Sequence, residues 1–233
     1  MNLGIMQPYF FPYLGYWQLL NLVDEFILYD DVSFIKQGWI SRNRIKSAGS
    51  TVFLGLQVRD ISSNRRICDH ELLRDARSDQ KLKKKLEIAY HRAPFYEETI
   101  DLFSRCLDYR ETNLAVFLNH CIRETADYLG IRTRILSASE QHFPHKTSGQ
   151  DRILELCSLQ KADNYYNAVG GKALYDPAVF AAADCPIRFL RIDENIQYPQ
   201  GIGPFIPNLS ILDVLMYNSL SEVNVLMTRY SLE

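Results

Sequence analysis

Two adjacent carboxylates and a nearby group of cations are the residues best suited to chemistry in this sequence. Asp30 and Asp31 follow a compact apolar segment at residues 26–29. Paired carboxylates can act as general acid and base or hold a divalent metal, whereas a turn in which Asp bonds its own backbone is the structural alternative. Lys36 offers a point charge, and Arg42 offers a fork for phosphate or carboxylate. The candidate catalytic residues are Asp30, Asp31 and Lys36.

Aromatic residues crowd between the first predicted strand and the first predicted helix. Six of the nine residues from Tyr9 to Trp17 are aromatic. Their flat faces suit a sugar ring or a base, and Gly15 would let a ligand approach backbone N–H groups at a helix start, where anions are favoured. Aromatic core packing is the alternative. The candidate substrate-binding residues here are Gln7, Tyr9, Phe11, Tyr13, Gly15 and Tyr16.

Later segments supply further polar and flexible residues. The Asn43 side-chain amide can form hydrogen bonds with the polar edge of a ligand. Lys146 and Arg152 flank a predicted helix start, and the Gly170-Gly171 turn exposes backbone amides. Surface charge is the alternative for Arg42, and a helix cap is the alternative for the region after Tyr198. The later candidate substrate-binding residues are Trp39, Arg42, Asn43, Lys146, Arg152, Gly170, Gly171, Tyr175, Tyr198 and Gln200.

Standard cofactor and metal fingerprints are absent from the sequence. It contains neither GxGxxG nor GxxxxGK[ST], and no HExxH or GxSxG. The five cysteines include no CxxC pair, which argues against a disulfide framework and a structural zinc site. Pro144 between His142 and His145 argues against a helical metal pair, so we assign no metal site. ATP and Mg²⁺ are the candidate cofactors, and the sequence does not decide between them.

Hydrophobic patterning places these candidates on an α/β framework. The first strand, helix and second strand fit within 31 residues, as in a βαβ unit. Predicted strands cover residues 2–6, 26–29, 51–58, 132–136, 164–168 and 187–192. Predicted helices cover residues 14–23, 71–90, 96–110, 114–129, 148–160, 177–183 and a last segment from 208 or 210 to 219. The sequence therefore predicts a single α/β domain over 1–233 with a helical insertion at approximately 69–130.

Composition excludes several classes of protein. The 233 residues are 47% hydrophobic and 12% aromatic, which excludes disorder. No apolar run reaches the roughly 18–20 residues of a membrane helix, and the N-terminus lacks signal-peptide features. We therefore expect a cytoplasmic protein with no membrane partner.

The net charge is −2, yet residues 36–92 carry 14 Lys and Arg against 6 Asp and Glu. That basic stretch can attract phosphate, nucleotide or nucleic acid, and a solvated helix face is the alternative for its lysines.

Taken together, these segments resemble the WbqC-like family. The resemblance covers nearly the whole chain, and the first forty-four residues make it specific. Its early part consists of residues 7–16 (QPYFFPYLGY), then Asp24 and Tyr29-Asp30-Asp31-Val32, then Lys36, Trp39, Arg42, Asn43, Arg44 and Ile45. Its later part consists of Tyr90 with residues 93–96, Leu129-Gly130-Ile131, Lys146, Arg152, Tyr166, Gly170-Gly171, Tyr175, Tyr198, Phe205 and residues 209–213.

The resemblance implies an enzyme of bacterial surface-polysaccharide (O-antigen) biosynthesis. It implies a transferase or ligase that adds a small acyl or aminoacyl group, such as glycyl, to a nucleotide-linked amino sugar. A weaker likeness to nucleotidyltransferase-like enzymes implies a Rossmann-like sheet. Their His-x-Gly-His motif would fall on Tyr13 to Tyr16, where tyrosines replace both histidines. The imidazole groups that would contact phosphates are therefore absent from this position.

Two alternatives remain open from the sequence. One is an ATP-dependent nucleotidyltransferase or adenylating ligase. The other is a non-catalytic binding protein. It would either contact a partner protein through the aromatic loop or bind nucleic acid through the basic stretch. It ranks last because several clusters lie at predicted strand ends, so nucleic acid is not the favoured partner. The oligomeric state is left open.

Overall fold

The computed structural model describes residues 1–143 and 147–233, which form a mixed α/β structure around a mostly parallel sheet. The strands, in chain order, are β1 (Asn2–Met6), β2 (Glu25–Leu28), β3 (Arg42–Ser47), β4 (Ser50–Gly55), β5 (Arg134–Ser137), β6 (Asn164–Ala168), β7 (Ile187–Ile192) and β8 (Tyr230–Leu232). Six of them form one sheet in the order β5-β2-β1-β6-β7-β8, in which only β8 is antiparallel.

The order of the parallel strands reverses at β1. The chain moves outward from β1 through β2 to β5, then returns to the other side of β1 and continues through β6 to β7. Loops that leave β1 and β6 therefore diverge to opposite sides. In open parallel sheets, a crevice for ligands forms at the carboxyl ends of the strands where the order reverses. This edge is where a functional site is to be sought.

A separate hairpin lies outside the main sheet. Strands β3 and β4 pair antiparallel, from Arg42 opposite Gly55 to Ser47 opposite Ser50. The sequence prediction was wrong here, because it gave no strand for β3 and extended the following strand to residue 58. Three residues of β3 are buried, namely Asn43, Ile45 and Lys46, and because two of them are polar the strand lacks an apolar alternation.

Nine helices occupy the described ranges. They are α1 (Leu14–Leu22), α2 (Ala76–Tyr90), α3 (Tyr96–Asp108), α4 (Leu114–Leu129), α5 (Ala138–Gln141), α6 (Gly149–Gln160), α7 (Pro177–Ala182), α8 (Ile211–Tyr217) and α9 (Leu220–Met227). Helices α2, α3 and α4 lie within the range predicted as a helical insertion. The predicted last helix ends early, at Tyr217. A capping box between Ser219 and Glu222 then starts α9, which the sequence prediction missed.

Helices cover both faces of the sheet, as a parallel sheet requires. Phe26 and Leu28 of β2 face the larger hydrophobic cluster, which also holds the apolar faces of α1, α4 and α8. Ile5 and Ile27 face a smaller cluster with residues of α6 and α7. Within the described ranges, no helix combines the length and apolar character needed to cross a membrane. The cytoplasmic location stays a prediction.

Candidate functional site

Polar side chains from three separate segments converge at the carboxyl edge of β1, β2 and β6. We call this group the carboxyl-edge cluster; it consists of Tyr29, Asp31, Arg152, Asn167 and Tyr175. Tyr29 and Asp31 follow β2, Arg152 projects from the second turn of α6, and Asn167 lies near the end of β6. The structure therefore brings together three residues that the sequence predicted separately, namely Asp31, Arg152 and Tyr175.

A buried ion pair forms the centre of the cluster. Nη2 of Arg152 lies 3.2 Å from Oδ2 of Asp31, and both side chains are only 2% exposed. Arg152 also approaches Glu155 Oε2 at 3.4 Å, while its Nε has no hydrogen-bond partner among the described residues. Buried charges of this kind are tolerated only when they are paired and hydrogen-bonded. The pair fixes a carboxylate and a guanidinium at the sheet edge.

Two tyrosines and an asparagine extend the cluster toward β6. Tyr29 interacts with Arg152, and burial together with the nearby Asp31 raises the pKa of its phenol to about 12. Asn167 Nδ2 donates to the hydroxyls of Tyr165 at 2.8 Å and Tyr175 at 3.1 Å. Burial also raises the pKa of Tyr175. These phenols stay protonated at neutral pH and can donate hydrogen bonds to a bound ligand.

Gln7 and the two glycines lie beside this cluster. Ile5 pairs with Ile27, and the Tyr29 amide donates to the Met6 carbonyl at 2.8 Å. Strand alternation therefore puts Gln7 and Tyr29 on one face. A Cβ added at Gly171 would lie 3.4 Å from the amide group of Asn167, whereas Gly170 is exposed and faces open space.

Asp30 forms its side-chain hydrogen bonds with residues outside this cluster. Its side chain is fully buried. Its carboxylate accepts hydrogen bonds from the Ser137 hydroxyl at 2.7 Å, from the Ser139 amide and hydroxyl at 2.8 and 2.9 Å, and from Asn119 at 3.2 Å. These bonds tie β2 to β5 and α4. They favour a structural role, and a catalytic role for Asp30 stays a prediction.

A cleft of about 330 Å³ opens beside the Asp31 carboxylate. Its wall is formed by the residues that follow β2 and β5 and by a short helical turn before α2, namely Asp31, Arg66, Cys68, Ala138, Ser139, His142 and Phe143. Arg66 is held in place by a bidentate pair with Asp69, at 2.9 Å for each contact. Partial burial raises the pKa of the Cys68 thiol to about 11, so the thiol is protonated at neutral pH.

The aromatic loop is mainly part of the core. Phe11 and Tyr16 are at most 1% exposed, which disfavours the direct substrate contact predicted for them. Tyr9 and Tyr13 stay half-buried. A Cβ added at Gly15 would lie 2.5 Å from Cε2 of Tyr13. Gly15 therefore makes room for the Tyr13 ring, and that ring occupies the space expected for a ligand at the start of α1.

The basic candidates lie on or beside the β3–β4 hairpin. Lys36 and Trp39 are exposed, and Arg42 is half-buried. Asn43 is buried and donates to the carbonyls of Phe10 and Phe11 at 3.2 and 2.8 Å. Phe11 has a φ of +43°, a strained conformation for a bulky residue. Asn43 thus supports the aromatic loop from below.

Tyr198 and Gln200 belong to a buried network around Asp213. Both donate to Oδ1 of Asp213, at 2.8 and 2.7 Å, and Tyr90 donates to Oδ2 at 2.7 Å. Burial raises the pKa of Asp213, and these three donors oppose the rise. The hydrogen bonds give Tyr198 and Gln200 a structural function, and a substrate contact by either residue stays a prediction.

One candidate residue and the question of a metal site remain from the sequence. Lys146 lies outside the described residues. Within residues 1–143 and 147–233, no three His, Cys, Asp or Glu side chains group as metal ligands.

Several residues of the site were missed from the sequence. Ser139, His142, Arg66 and Cys68 line the cleft, and Asn167 links Tyr165 to Tyr175. One signal was available for Asn167, because it is a polar residue near the end of a short buried strand. The other four residues come from segments that are far apart in the chain, so the sequence gives no signal that they lie together.

These features define a mostly parallel α/β protein with a polar cleft at the carboxyl edge of its sheet. The chain belongs to the WbqC-like protein family, whose family model matches residues 7–225. It is 29% identical over 216 residues to an uncharacterized protein of Mycobacterium tuberculosis, and the match covers 92% of each chain. No solved structure matches the chain.

Proposed function

We propose that this protein is a transferase or ligase that attaches a small acyl or aminoacyl group, such as glycyl, to the amine of a nucleotide-linked amino sugar. Surface-polysaccharide (O-antigen) biosynthesis is the process that the family resemblance implies. One observation carries the assignment to this site. The Asp31 carboxylate lies at the wall of a ligand-sized cleft and is held by the buried guanidinium of Arg152.

The reaction uses Asp31 as the general base. The ammonium group of the sugar gives a proton to Asp31, and the freed lone pair attacks the acyl carbon. The new nitrogen–carbon bond forms as the bond to the leaving group breaks, and the leaving group keeps that electron pair. The second proton that the nitrogen loses goes to the leaving group or to solvent. Arg152 holds Asp31 in place, and the Tyr29 hydroxyl donates toward the developing negative charge.

A Rossmann-like, nucleotidyltransferase-like sheet is part of the same proposal. Its support is the reversal of strand order at β1. The related alternative, an ATP-dependent nucleotidyltransferase or adenylating ligase, would need phosphate contacts at the start of α1. The Tyr13 ring covers Gly15 there, which disfavours that alternative.

The test is product formation followed by mass spectrometry. The protein is incubated with UDP-, dTDP- and GDP-linked amino sugars, together with aminoacyl and acyl donors, with and without ATP and Mg²⁺. Asp31→Asn should lower the rate at least about a hundredfold, the typical contribution of a general base. The control is Asp127→Asn, at an exposed carboxylate on α4.

The results separate the possible functions. An acylated sugar that depends on Asp31 supports the proposal. Pyrophosphate release from ATP, with a nucleotidyl product and no acylated sugar, would establish the alternative enzyme. Equal rates for Asp31→Asn and Asp127→Asn would remove the carboxyl-edge cluster from the reaction.

A further inference from the structure

Two arginines on the β3–β4 hairpin lack the carboxylate partner that comparable arginines have. Five arginines of the described residues are buried or half-buried: Arg42, Arg44, Arg74, Arg152 and Arg229. Arg74 pairs with Asp79, Arg152 with Asp31, and Arg229 with Asp193. Among the described residues, no carboxylate lies within 4.0 Å of Arg42 or Arg44. A half-buried guanidinium is costly without an anion.

Among the described residues, each of these guanidinium groups uses one Nη donor within the chain. Arg42 Nη2 donates to the Gln37 carbonyl at 2.6 Å, and Arg44 Nη2 donates to the Asn208 carbonyl at 3.3 Å. Nε of each is buried and finds no hydrogen-bond partner in the parts of the chain that are described, so it is not open to a ligand. A guanidinium group has five N–H donors, so each arginine can still bind an anion through the remaining N–H groups of its Nη1 and Nη2.

Aromatic rings hold both groups in a fixed orientation. The Arg42 guanidinium lies 4.4 Å from the ring centre of Phe53, and that of Arg44 lies 5.2 Å from the ring of Trp39. Stacking uses the planar face of a guanidinium and leaves its N–H edge available. Phe53 is 47% exposed and Trp39 is 39% exposed. The rings therefore also offer surface to a ligand.

The four side chains form one surface of the hairpin. Arg42 and Arg44 alternate with Asn43 and Ile45, which are buried, so both arginines project from the outer face of β3. Arg44 lies directly opposite Phe53 on β4. Lys85 adds another cation, since its Nζ donates to the Phe53 carbonyl at 3.2 Å. We call Trp39, Arg42, Arg44 and Phe53 the arginine–aromatic face.

We propose that the arginine–aromatic face binds the phosphate groups of a nucleoside diphosphate, with the base stacked on an exposed ring. Paired arginines recognise phosphate, and an aromatic face recognises a base. Two arginines and two rings match one nucleotide better than a polymer. The net charge of −2 also disfavours a polyanion. The inference rests on the proposed function only for the expectation that this nucleotide carries a sugar.

The test measures binding directly, by calorimetric titration at two salt concentrations. The probes are UDP, inorganic pyrophosphate, uridine and a single-stranded oligothymidylate. UDP and pyrophosphate should bind, and uridine should bind more weakly than UDP. Arg42→Gln and Arg44→Gln should each weaken UDP binding about tenfold or more, as loss of a charged hydrogen bond implies. Phe53→Leu should weaken binding of UDP more than binding of pyrophosphate, because it removes the stacking surface for the base as well as the ring that orients Arg42.

Controls separate binding from folding and from the transfer reaction. Arg92→Gln removes an exposed cation of the same basic stretch and should leave UDP binding unchanged. Arg42→Lys keeps the charge and loses the fork, so it should also weaken binding, while melting temperatures report whether each variant folds. Because binding is measured without turnover, hairpin-dependent UDP binding would stand even if no transfer were found.

Three results would overturn this assignment. The first is wild-type affinity for UDP in folded Arg42→Gln and Arg44→Gln proteins. The second is no binding of UDP or pyrophosphate to the unaltered protein at millimolar concentration. The third is tighter binding of oligothymidylate than of UDP with a steep salt dependence, which would identify a nucleic-acid surface instead.

Discussion

Replacing Tyr90 with Phe should destabilise the protein by about 3 kcal/mol. The Tyr90 hydroxyl donates to Asp213 at 2.7 Å and accepts from the Lys46 amide at 2.9 Å. The ring is 1% exposed, so water cannot replace either bond. A hydrogen bond to a charged group contributes about 1.5–3 kcal/mol, and an unsatisfied buried donor costs about 1–3 kcal/mol. These effects share one site and do not add fully.

The loss of unfolding free energy caused by Tyr90→Phe should also grow as the pH rises. Burial raises the pKa of Asp213 above its ordinary value of 3.8, and the Tyr90 donor opposes that rise. Removing this donor raises the pKa further. The folded protein then holds the proton more tightly than the unfolded chain, so ionising Asp213 costs folding free energy as pH rises above about 4. At low pH the carboxyl group is protonated in both proteins and the difference is smallest.

Urea unfolding followed by tryptophan fluorescence measures both effects. At about pH 8 the midpoint should fall markedly, and a thermal melt should shift down by about 6–12 °C for a chain of this size. The matched control is Tyr128→Phe. Tyr128 is half-buried on α4, and no hydrogen bond of its hydroxyl is found among the described residues. Two results would refute the reasoning. One is an equal loss of unfolding free energy in Tyr90→Phe and Tyr128→Phe, and the other is a loss in Tyr90→Phe that becomes smaller as the pH rises.

Two further substitutions test the supports of the candidate site. Asp30→Asn places an amide against the hydrogen-bond donors of Ser139 and should cost about 2–4 kcal/mol in urea unfolding; a loss no greater than that of Asp127→Asn would contradict this. Gly15→Ala places a Cβ 2.5 Å from the Tyr13 ring and should cost about 1–3 kcal/mol. Combining it with Tyr13→Ala should recover part of that loss in a double-mutant cycle, and strictly additive effects would show that the ring is not the obstacle.

Hydrophobic periodicity and helix-ending residues in the sequence predicted the helices whose ends depend on neighbouring residues. The periodic apolar residues of α4 ended at Gly130, and the structure ends the helix there with a φ of +74°. Strand β3 was missed because its two arginines alternate with Asn43 and Ile45, and the buried but polar Asn43 breaks the apolar pattern. Strand β8 was missed because it is only three residues long and pairs with β7.

The candidate site was predicted in its parts but not in its assembly. Asp30 and Asp31 are adjacent and chemically identical, yet one carries four hydrogen bonds from neighbouring segments and the other pairs with Arg152. Arg152 is 121 residues from Asp31 in the chain. Spacing along a sequence cannot show which carboxylate such a distant cation reaches, because strand order decides it.

The position of β1 between β2 and β6 has a consequence for folding during synthesis. One edge of β1 pairs with β2, which ends at Leu28, and the other pairs with β6, which begins at Asn164. At roughly 5–20 residues per second, a ribosome needs roughly 7–27 s to make the intervening chain. During that interval an apolar strand edge stays open, and such edges recruit other chains. Slow, long-range parallel pairing then closes the sheet. We therefore expect the yield of folded protein to depend on translation speed and chaperone supply more than on final stability.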